Sequence, residues 1–454
     1  MSYVFPRHTK ARYPVAVGGE GPYLIDGEGR RYIDASGGAA VSCLGHGHPA
    51  VIQAIKDQVD KIAYAHSAFF TTEASEALAE YLVRRAPEGL ARVYFVSGGS
   101  EANETALKLA RQFHLENGDS GRSHFIARHQ SYHGNTLGAL SVGGNAGRRA
   151  PYQPMLSPAS HIDPCYAYRH QAHDESEEAY GRRAADTLEA EILRLGPDKV
   201  AAFIAEPVVG ATLGAVPAVT GYFRRIREIC DHYGVLLILD EVMCGMGRTG
   251  SLFACEQDGI SPDILTCAKG LGGGYQPIGA VLCSGRIYDA IAGGSGAFEH
   301  GFTYIGHATA CAASLAVQRT IESEDLLANV KRQGAALRQA LEARFGNHHH
   351  VGDIRGRGLF VGLELVADRA SREPFDPALK LNARIKQRAM EEGMVCYPAG
   401  GTVDGKRGDH VLLAPSFIVQ QPHVEEIVDK LGRSIDAVLA EAGVGPGIGS
   451  EAKA

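Results

Sequence analysis

The chain has 454 residues, of which 45% are hydrophobic and 21% charged, a composition typical of a folded globular protein. This length exceeds what one hydrophobic core usually organises, so we expect two or more domains. The net charge of −7 and the absence of a basic run argue against a nucleic-acid surface. Because the sequence contains neither a membrane-length apolar stretch nor a signal-peptide pattern, and its nine cysteines form no C-x-x-C pair, we predict a cytoplasmic protein without a membrane partner.

The two ends of the chain predict one small α+β domain. Near the N-terminus, YLIDGEGRRYIDAS contains two short strands around a glycine-containing turn. From about residue 325 there follow a helix, the strands GLFVGLELV and HVLLAPSF, and a last helix from about residue 422. We therefore assign residues 1–60 and 325–454 to a small domain built from both termini.

The middle of the chain, residues 61–324, predicts a large α/β domain. Apolar runs alternate there with helical patterns, and the runs are RVYFV, VAAFIAEP, VLLILDEV, DILTCAK and IGAVLCS. Strands that are apolar on both faces and separated by helices are typical of a mostly parallel sheet covered by helices on both faces. The predicted fold class is therefore α/β, with the smaller α+β domain beside it.

Two ionisable residues follow strands of this predicted sheet. Lys269 lies between an apolar run and a glycine-rich loop in TCAKGLGGGYQPIGAV, and Asp240 follows five apolar residues in VLLILDEV. Because both residues come at the carboxyl ends of strands, we expect them at the same edge of the sheet, where ligands bind in such folds. A buried carboxylate requires a cationic or N–H partner. For Asp240 that partner is either Arg248, in the next loop, or a ligand cation.

The loop before the first long helix of this domain is a candidate anion site. In VSGGSEANETALKLARQF a strand ends at Val96, and Ser100 is the predicted N-cap of the helix. Free N–H groups, the helix dipole and the glycines favour a phosphate, although an ordinary capped turn accounts for the same residues. A phosphate site, a carboxylate and an amine together match pyridoxal 5′-phosphate, which has a phosphate, a basic ring nitrogen and an aldehyde that condenses with lysine.

Six motifs then occur in order along most of the chain: SGGSEANETALKLAR, SYHGNT, AEPVVG, LILDEVMCGMGRTG, AKGLGGGYQPIGA and FTYIGHATACAASLAV. In these motifs the chain resembles class III aminotransferases, the fold-type I pyridoxal-phosphate enzymes that include the omega-amino acid and amine–pyruvate transaminases. The resemblance implies that Lys269 binds the cofactor covalently and moves the reacting proton, while Asp240 pairs with the ring nitrogen. Tyr132 and Val242 match the residues against the two ring faces, with His133 beside Tyr132.

The same resemblance extends to the phosphate and to a second subunit. Gly99 and Ser100 match the phosphate cradle, and Phe302 and Thr303 match residues that reach the phosphate from the neighbouring subunit. The resemblance therefore implies a homodimer with shared active sites. Glu206 matches a glutamate near a cofactor oxygen and Asp240, where it either contacts the cofactor or only supports the residues that do.

The resemblance implies a transaminase that moves an amino group from an omega-amino acid or primary amine to a keto acid by ping-pong aldimine and ketimine chemistry. Ala211 occupies a place where 2-oxoglutarate-using relatives commonly have a glutamate, which favours pyruvate as the acceptor. A gap-free match puts Gly405 where many amine–pyruvate enzymes have a carboxylate-binding arginine. The nearby Arg407 is either that ligand or part of a solvated basic turn. Ala39 and Ala40 replace a bulky residue and suggest a roomy substrate pocket.

Other interpretations remain open at this point. A 2-oxoglutarate-using diamine or ornithine-type aminotransferase, or an aminomutase, would use the same fold and cofactor. A non-catalytic Rossmann-like nucleotide-binding module would use GLGGGYQPIG, but these glycines lead into the predicted strand IGAVLCS and not into a helix. The histidines at 348–350 are interpreted as a polar loop and not as a metal site, because adjacent side chains on an extended chain point to opposite faces.

Overall fold

The computed structural model describes residues 3–444. The strands are β1 Ala16–Glu20, β2 Tyr23–Asp26, β3 Arg31–Asp34, β4 Leu90–Val96, β5 His124–Arg128, β6 Ala159–Ile162, β7 Val200–Ala205, β8 Val208–Val209, β9 Val216–Pro217, β10 Leu236–Asp240, β11 Ile264–Cys267, β12 Gly279–Ser284, β13 Val351–Arg357, β14 Phe360–Leu365, β15 Met394–Val395, β16 Tyr397–Gly400 and β17 Asp409–Leu413. The α-helices are α1 Gly37–Ala40, α2 Pro49–Lys61, α3 Glu73–Val83, α4 Gly99–Glu116, α5 Leu137–Val142, α6 Ala146–Arg149, α7 Ala167–His170, α8 Glu177–Leu195, α9 Tyr222–Tyr233, α10 Gly285–Gly293, α11 Ala308–Ser323, α12 Leu326–Phe345, α13 Leu381–Glu391 and α14 Gln421–Glu441.

The central sheet has seven strands in the order β4-β12-β11-β10-β7-β5-β6. The five strands from β11 to β6 run parallel, whereas β12 is antiparallel to both β11 and β4. The mostly parallel sheet predicted from the sequence is thus confirmed. The reversal at β12 has a local cause, because the glycine-rich loop after β11 returns the chain directly without the crossover helix that a parallel neighbour requires.

Helices cover both faces of this sheet, as the apolar runs predict. Strand β10 is buried along its whole length. Its Leu237 and Leu239 pack into a core with α3, α8 and α9, whereas Leu236 and Ile238 pack into a second core with α4 and α10. Side chains alternate between the faces of a strand, so a strand between two helical layers has no polar face.

The two ends of the chain form two further sheets that share a core. Strand β15 pairs in parallel with β3, which joins the C-terminal part of the chain to the N-terminal sheet of β1, β2 and β3. The other sheet is antiparallel, in the order β13-β14-β17-β16. Ile33, Val51, Leu363 and Leu431 belong to one hydrophobic cluster. The pairing between the termini therefore agrees with the predicted small domain, while its limits at residues 60 and 325 stay a prediction.

Three strand ends place polar residues at one edge of the central sheet. Strands β7, β10 and β11 are parallel neighbours, and they are followed or terminated by Glu206, Asp240 and Lys269. Within residues 3–444, none of the helices has the length and apolar character needed to cross a membrane. The same part of the chain contains no group of three or more His, Cys, Asp or Glu residues arranged to hold a metal ion.

Candidate active site

A cavity of about 460 Å³ lies at this edge of the sheet. Its wall contains eight residues that the sequence predicts for the site, together with neighbours from the same loops. The eight are Gly99, Ser100, Tyr132, His133, Glu206, Asp240, Val242 and Lys269. The structure therefore brings the predicted amine, carboxylate and phosphate loop together around one space.

Lys269 opens the single 3₁₀ turn that follows β11. Its backbone has φ of +46°, in the left-handed region that residues with side chains rarely occupy, and Gly272 and Gly273 both donate backbone hydrogen bonds to its carbonyl. Burial lowers the pKa of Lys269 to about 8, against the opposing effect of the negative charges of Asp240 and Glu206. A larger fraction of the amine is therefore neutral near neutral pH, as a nucleophile that attacks a carbonyl requires.

Asp240 is buried at the end of β10 and holds its carboxylate with three contacts. Its Oδ2 atom accepts a hydrogen bond from Asn103 Nδ2 at 2.7 Å and lies 2.8 Å from His133 Nδ1, and its Oδ1 atom accepts from the Val242 backbone N–H at 3.0 Å. Arg248, the alternative protein partner, is not among these contacts. Donors on several sides fix the orientation of the carboxylate and leave it able to accept a further N–H from a ligand.

Asn103 and Thr266 orient Asp240, and the sequence did not predict either role. Besides its bond to Asp240, Asn103 donates to the His133 carbonyl at 2.7 Å and accepts from Thr266 Oγ1 at 2.8 Å. Thr266 is the residue of β11 that pairs with Asp240 in the sheet. A sequence signal exists for Asn103, because it is a polar residue on the face of α4 that Ala102 and Ala106 bury in the core.

Glu206 and His133 carry polar atoms that lack a partner. Glu206 Oε1 accepts from the Tyr132 backbone N–H at 3.1 Å, but Glu206 Oε2 and His133 Nε2 are buried without a hydrogen bond to any described residue. Burial raises the pKa of Glu206 to about 7, while His133 opposes this rise. Buried polar atoms without a partner are uncommon in folded proteins. Their presence in the wall of the cavity indicates a ligand with polar groups of its own.

The predicted phosphate loop lies at the N-terminus of α4. The helix begins at Gly99, with Gly98 as its N-cap, so the prediction of Ser100 as the N-cap is wrong. Gly98 is fully extended and offers no side chain to the first N–H groups of the helix, which thus stay available to an anion. The hydroxyl oxygen of Ser100 accepts a hydrogen bond from the Asn135 backbone at 3.1 Å, which leaves its proton free to donate.

The loop and Val242 are in such close contact that only glycine fits at position 99. A Cβ atom on Gly99 would lie 2.8 Å from Val242 Cγ1. Val242 and Tyr132 both line the cavity, as expected for residues that contact a flat ring. The Tyr132 hydroxyl accepts a hydrogen bond from Asn135 Nδ2 at 3.1 Å, and the guanidinium carbon of Arg148 lies 4.8 Å from the centre of its ring.

Phe302 and Thr303 lie outside this cavity, in the segment before α11. Thr303 is exposed, and its carbonyl accepts a hydrogen bond from the Tyr64 hydroxyl at 2.8 Å. Phe302 packs edge-on against His300, with ring centres 4.8 Å apart. Neither residue contacts the cavity of its own chain, so their predicted contribution to a neighbouring subunit stays a prediction.

Ala40 and Ala211 lie behind the cavity wall and do not line it. Ala40 is buried in a small apolar cluster with Met243 and Val208, two residues that do line the cavity, and Ala211 packs against the same cluster. Both alanines therefore make that side of the site small and uncharged. Their predicted effect on substrate choice stays a prediction.

Arg407 occupies the basic turn that the sequence left as an alternative to a substrate ligand. Its side chain is exposed, its Nε donates to Asp404 Oδ2 at 2.8 Å, and its Nη1 lies 3.5 Å from Glu373 Oε1. Arg407 is not part of the cavity wall in this structure. To bind a substrate carboxylate it would have to exchange these two acidic partners for the substrate.

Glu241, which follows Asp240 in the chain, and Arg248 both bind backbone groups away from the cavity. The carboxylate of Glu241 accepts from the backbone N–H groups of Ala254 and Cys255 at 2.6 and 2.8 Å. The buried Arg248 donates to the Leu359 carbonyl at 3.1 Å and also to the carbonyl of Pro415. The structure confirms that neither residue lines the cavity.

The residues around the cavity fit pyridoxal 5′-phosphate. The free N–H groups of α4 would hold its phosphate, Asp240 would hold the ring N–H, and the amine of Lys269 would bind its aldehyde. The unpartnered atoms of Glu206 and His133 supply further polar contacts. Each polar part of the cofactor thus has a protein group of matching chemistry in one cavity.

Comparison with known proteins agrees with this fit. Residues 5–435 match the family described as Aminotransferase class-III. An uncharacterized aminotransferase of Schizosaccharomyces pombe is 47% identical over 97% of this chain and 95% of its own length. A diaminobutyrate–2-oxoglutarate transaminase of Halomonas elongata is 37% identical, over 95% of this chain and 92% of its own.

Among solved structures, the omega transaminase from Pseudomonas jessenii in complex with PMP has a TM-score of 0.91 and 34% identity, covering 97% of this chain and 98% of that one. A likeness of this extent spans nearly the whole of both chains. Together with the family match and the geometry of the cavity, it identifies the fold as fold type I. The chain therefore belongs to the class III aminotransferases, which are enzymes that depend on pyridoxal phosphate.

Proposed function

We propose that this aminotransferase takes its amino group from an omega-amino acid or a primary amine and passes it to pyruvate. The observation that supports this acceptor is the apolar cluster behind the cavity wall, which includes Ala211 and contains no carboxylate among its described residues. Surroundings of this kind suit an acceptor with a single carboxylate. Ala40 belongs to the same cluster and places no bulky side chain behind that part of the wall.

Lys269 is the residue that we propose as the catalytic base. Bound pyridoxal phosphate supplies an electron sink for the bond that breaks at the substrate carbon. The Lys269 amine, with its pKa lowered to about 8, would be placed to take the proton from that carbon and to return it as the amino group is transferred. Asp240, held by Asn103 and beside His133, would accept the N–H of the ring nitrogen, and Tyr132 and Val242, which line the cavity, would contact the ring.

Glu206 has a supporting role in this proposal. Because burial raises its pKa to about 7, its carboxyl group keeps a proton up to near neutral pH. A neutral Glu206 avoids a second negative charge beside Asp240 and can donate a hydrogen bond from Oε2, the atom that has no hydrogen-bond partner within residues 3–444.

We also propose that two copies of the chain complete the site, with Phe302 and Thr303 of each copy reaching the phosphate of the other. Large apolar side chains are exposed in the same region, with Phe69 at 78%, Phe70 at 68% and Tyr304 at 60%. A contiguous apolar surface of this kind favours burial against a partner protein. The cytoplasm, with its reducing conditions, is the proposed location.

A second acceptor, 2-oxoglutarate, has support of its own. The relative from Halomonas elongata has 2-oxoglutarate in its name, and the similarity covers 95% of the present chain. 2-Oxoglutarate has a second carboxylate that pyruvate lacks. It would therefore need a polar or cationic partner for that group near Ala211, whereas pyruvate would not. The aminomutase alternative predicts a product isomer and no requirement for any keto acid.

The test is a panel of donors against the two acceptors, with the absorbance of the cofactor as the signal. A donor alone should convert the cofactor to its amine form, and pyruvate should restore the original absorbance faster than 2-oxoglutarate does. Turnover that is stronger with 2-oxoglutarate would overturn the argument from Ala211. Turnover that continues without any keto acid would favour the aminomutase.

A further inference from the structure

Arg148 carries a positive charge beside the cavity. It lies in the short helix α6, exposed to solvent, with its guanidinium carbon 4.8 Å from the centre of the Tyr132 ring. Its backbone N–H donates to Asn145 Oδ1 at 3.0 Å. Within residues 3–444, no Asp or Glu forms an ion pair with its side chain.

The other arginines nearby are already engaged. Arg407 is bound to Asp404 and faces Glu373, and Arg149 donates to the Gly143 carbonyl at 3.0 Å and contacts His161. The loop that carries Arg407 approaches α6 closely, since a Cβ atom on Gly405 would lie 3.5 Å from the side chain of Ala146. Among these three arginines beside the cavity, Arg148 is therefore the one whose guanidinium is available to an anion.

A second positive charge acts at the same place. Burial raises the pKa of the Tyr132 hydroxyl, and the charges of Arg148 and Arg7 both oppose that rise. Arg7 is exposed and belongs to the segment that precedes β1. Arg148 and Arg7 thus place two positive charges near Tyr132, and charges of this sign attract an anionic substrate.

We propose that Arg148 binds the carboxylate of the substrate, and that the preferred donors are therefore amino acids whose carboxylate lies at the opposite end from the reacting amine. Lys269 lines the cavity, whereas Arg148 lies outside it beyond Tyr132. A molecule that reaches both residues has its two functional groups separated by a carbon chain. The planar guanidinium suits a carboxylate because it donates two parallel hydrogen bonds. This inference rests on the proposed transaminase function and makes Arg148, in place of Arg407, the residue that recognises the carboxylate.

The test compares 5-aminopentanoate with pentylamine, which have the same chain and differ by the carboxylate. In Arg148→Gln we expect KM for 5-aminopentanoate to rise on the order of 10- to 100-fold, the effect of losing charged hydrogen bonds, with KM for pentylamine within about twofold of wild type. Arg148→Lys keeps the charge but not the paired donors, so its KM for 5-aminopentanoate should lie between those of wild type and Arg148→Gln. Arg182→Gln, the same change on an exposed helix surface, serves as the matched control.

Binding of pentanoate, which has no amine and cannot react, gives a readout that is independent of turnover. Calorimetry on the holoenzyme should detect weaker binding in Arg148→Gln and unchanged binding in Arg182→Gln. If Arg148 only supports the Tyr132 ring, the variant will raise KM equally for both donors, and the proposal is overturned. A larger loss of pentanoate affinity in Arg407→Gln than in Arg148→Gln would also overturn the proposal. Absence of turnover in the wild type with every donor would instead refute the proposed function.

Discussion

Replacing Glu206 by glutamine tests the electrostatics of the cavity directly, because the variant keeps the shape of the side chain but cannot ionise. Burial raises the pKa of Glu206 from an ordinary value of 4.5 to about 7. Well below pH 4.5 the group is protonated in both the folded and the unfolded chain, so its ionisation does not change the free energy of unfolding. As the pH rises from 4.5 through 7, the unfolded chain ionises first, so the folded apoprotein loses stability. A shift of this size corresponds to about 3 kcal/mol.

The measurement is the unfolding free energy of the apoprotein in urea, at pH 5 and at pH 8, for wild type and Glu206→Gln. Because the unfolded group is already largely ionised at pH 5, the difference between variant and wild type should move by about 2.5 kcal/mol in favour of the variant from pH 5 to pH 8. Glu178→Gln, on the exposed surface of α8, should change the stability by less than about 0.5 kcal/mol at either pH. If the difference between Glu206→Gln and wild type is the same at both pH values, Glu206 ionises normally and its proposed protonated role is wrong.

Three further substitutions test the site and its support. Lys269→Ala should abolish turnover with an unchanged circular dichroism spectrum, whereas retained turnover would mean that another amine carries out the chemistry. Gly99→Ala places a Cβ 2.8 Å from Val242 Cγ1 and should raise the dissociation constant of the cofactor, and adding Val242→Ala should restore part of the affinity in an absorbance titration; no change in Gly99→Ala would contradict the close contact. Glu364→Gln removes the buried negative charge that pairs with Arg355 and Arg169, at 2.6 and 2.8 Å, and should cost about 3 kcal/mol in unfolding free energy. A loss below about 1 kcal/mol would show that the other contacts of Arg355, to Asp353 and to backbone carbonyls, are sufficient.

Much of the site could be predicted because its residues follow strands. Asp240 and Lys269 come directly after apolar runs, and parallel strands carry such residues to one edge whatever the detailed packing is. The helix of α4 was predicted from its apolar stripe, but its first residue was not. Glycine and serine are both acceptable N-caps, so the sequence pattern does not choose between Gly98 and Ser100.

The polar network around Asp240 shows where prediction from motifs ends. Asn103 lies far from Asp240 in the chain, and its amide bridges Asp240 and Thr266 only because α4 packs across β10 and β11. The availability of the Arg407 charge likewise depends on packing, because Asp404 and Glu373 form ion pairs with it. Contacts of this sort depend on distances between elements, which no local spacing in the sequence specifies.

The class of the fold, the edge of the sheet at which the site lies and the chemistry of its amine and carboxylate can all be inferred from the amino-acid sequence. They follow from local patterns, namely runs of apolar residues, glycines in loops and ionisable residues at strand ends. Packing between distant elements sets the antiparallel direction of β12 and, within residues 3–444, leaves atoms of Glu206 and His133 without partners and Arg148 without an ion pair. Burial and neutralisation are properties of surroundings assembled from distant parts of the chain, and they exist only after those parts have packed together.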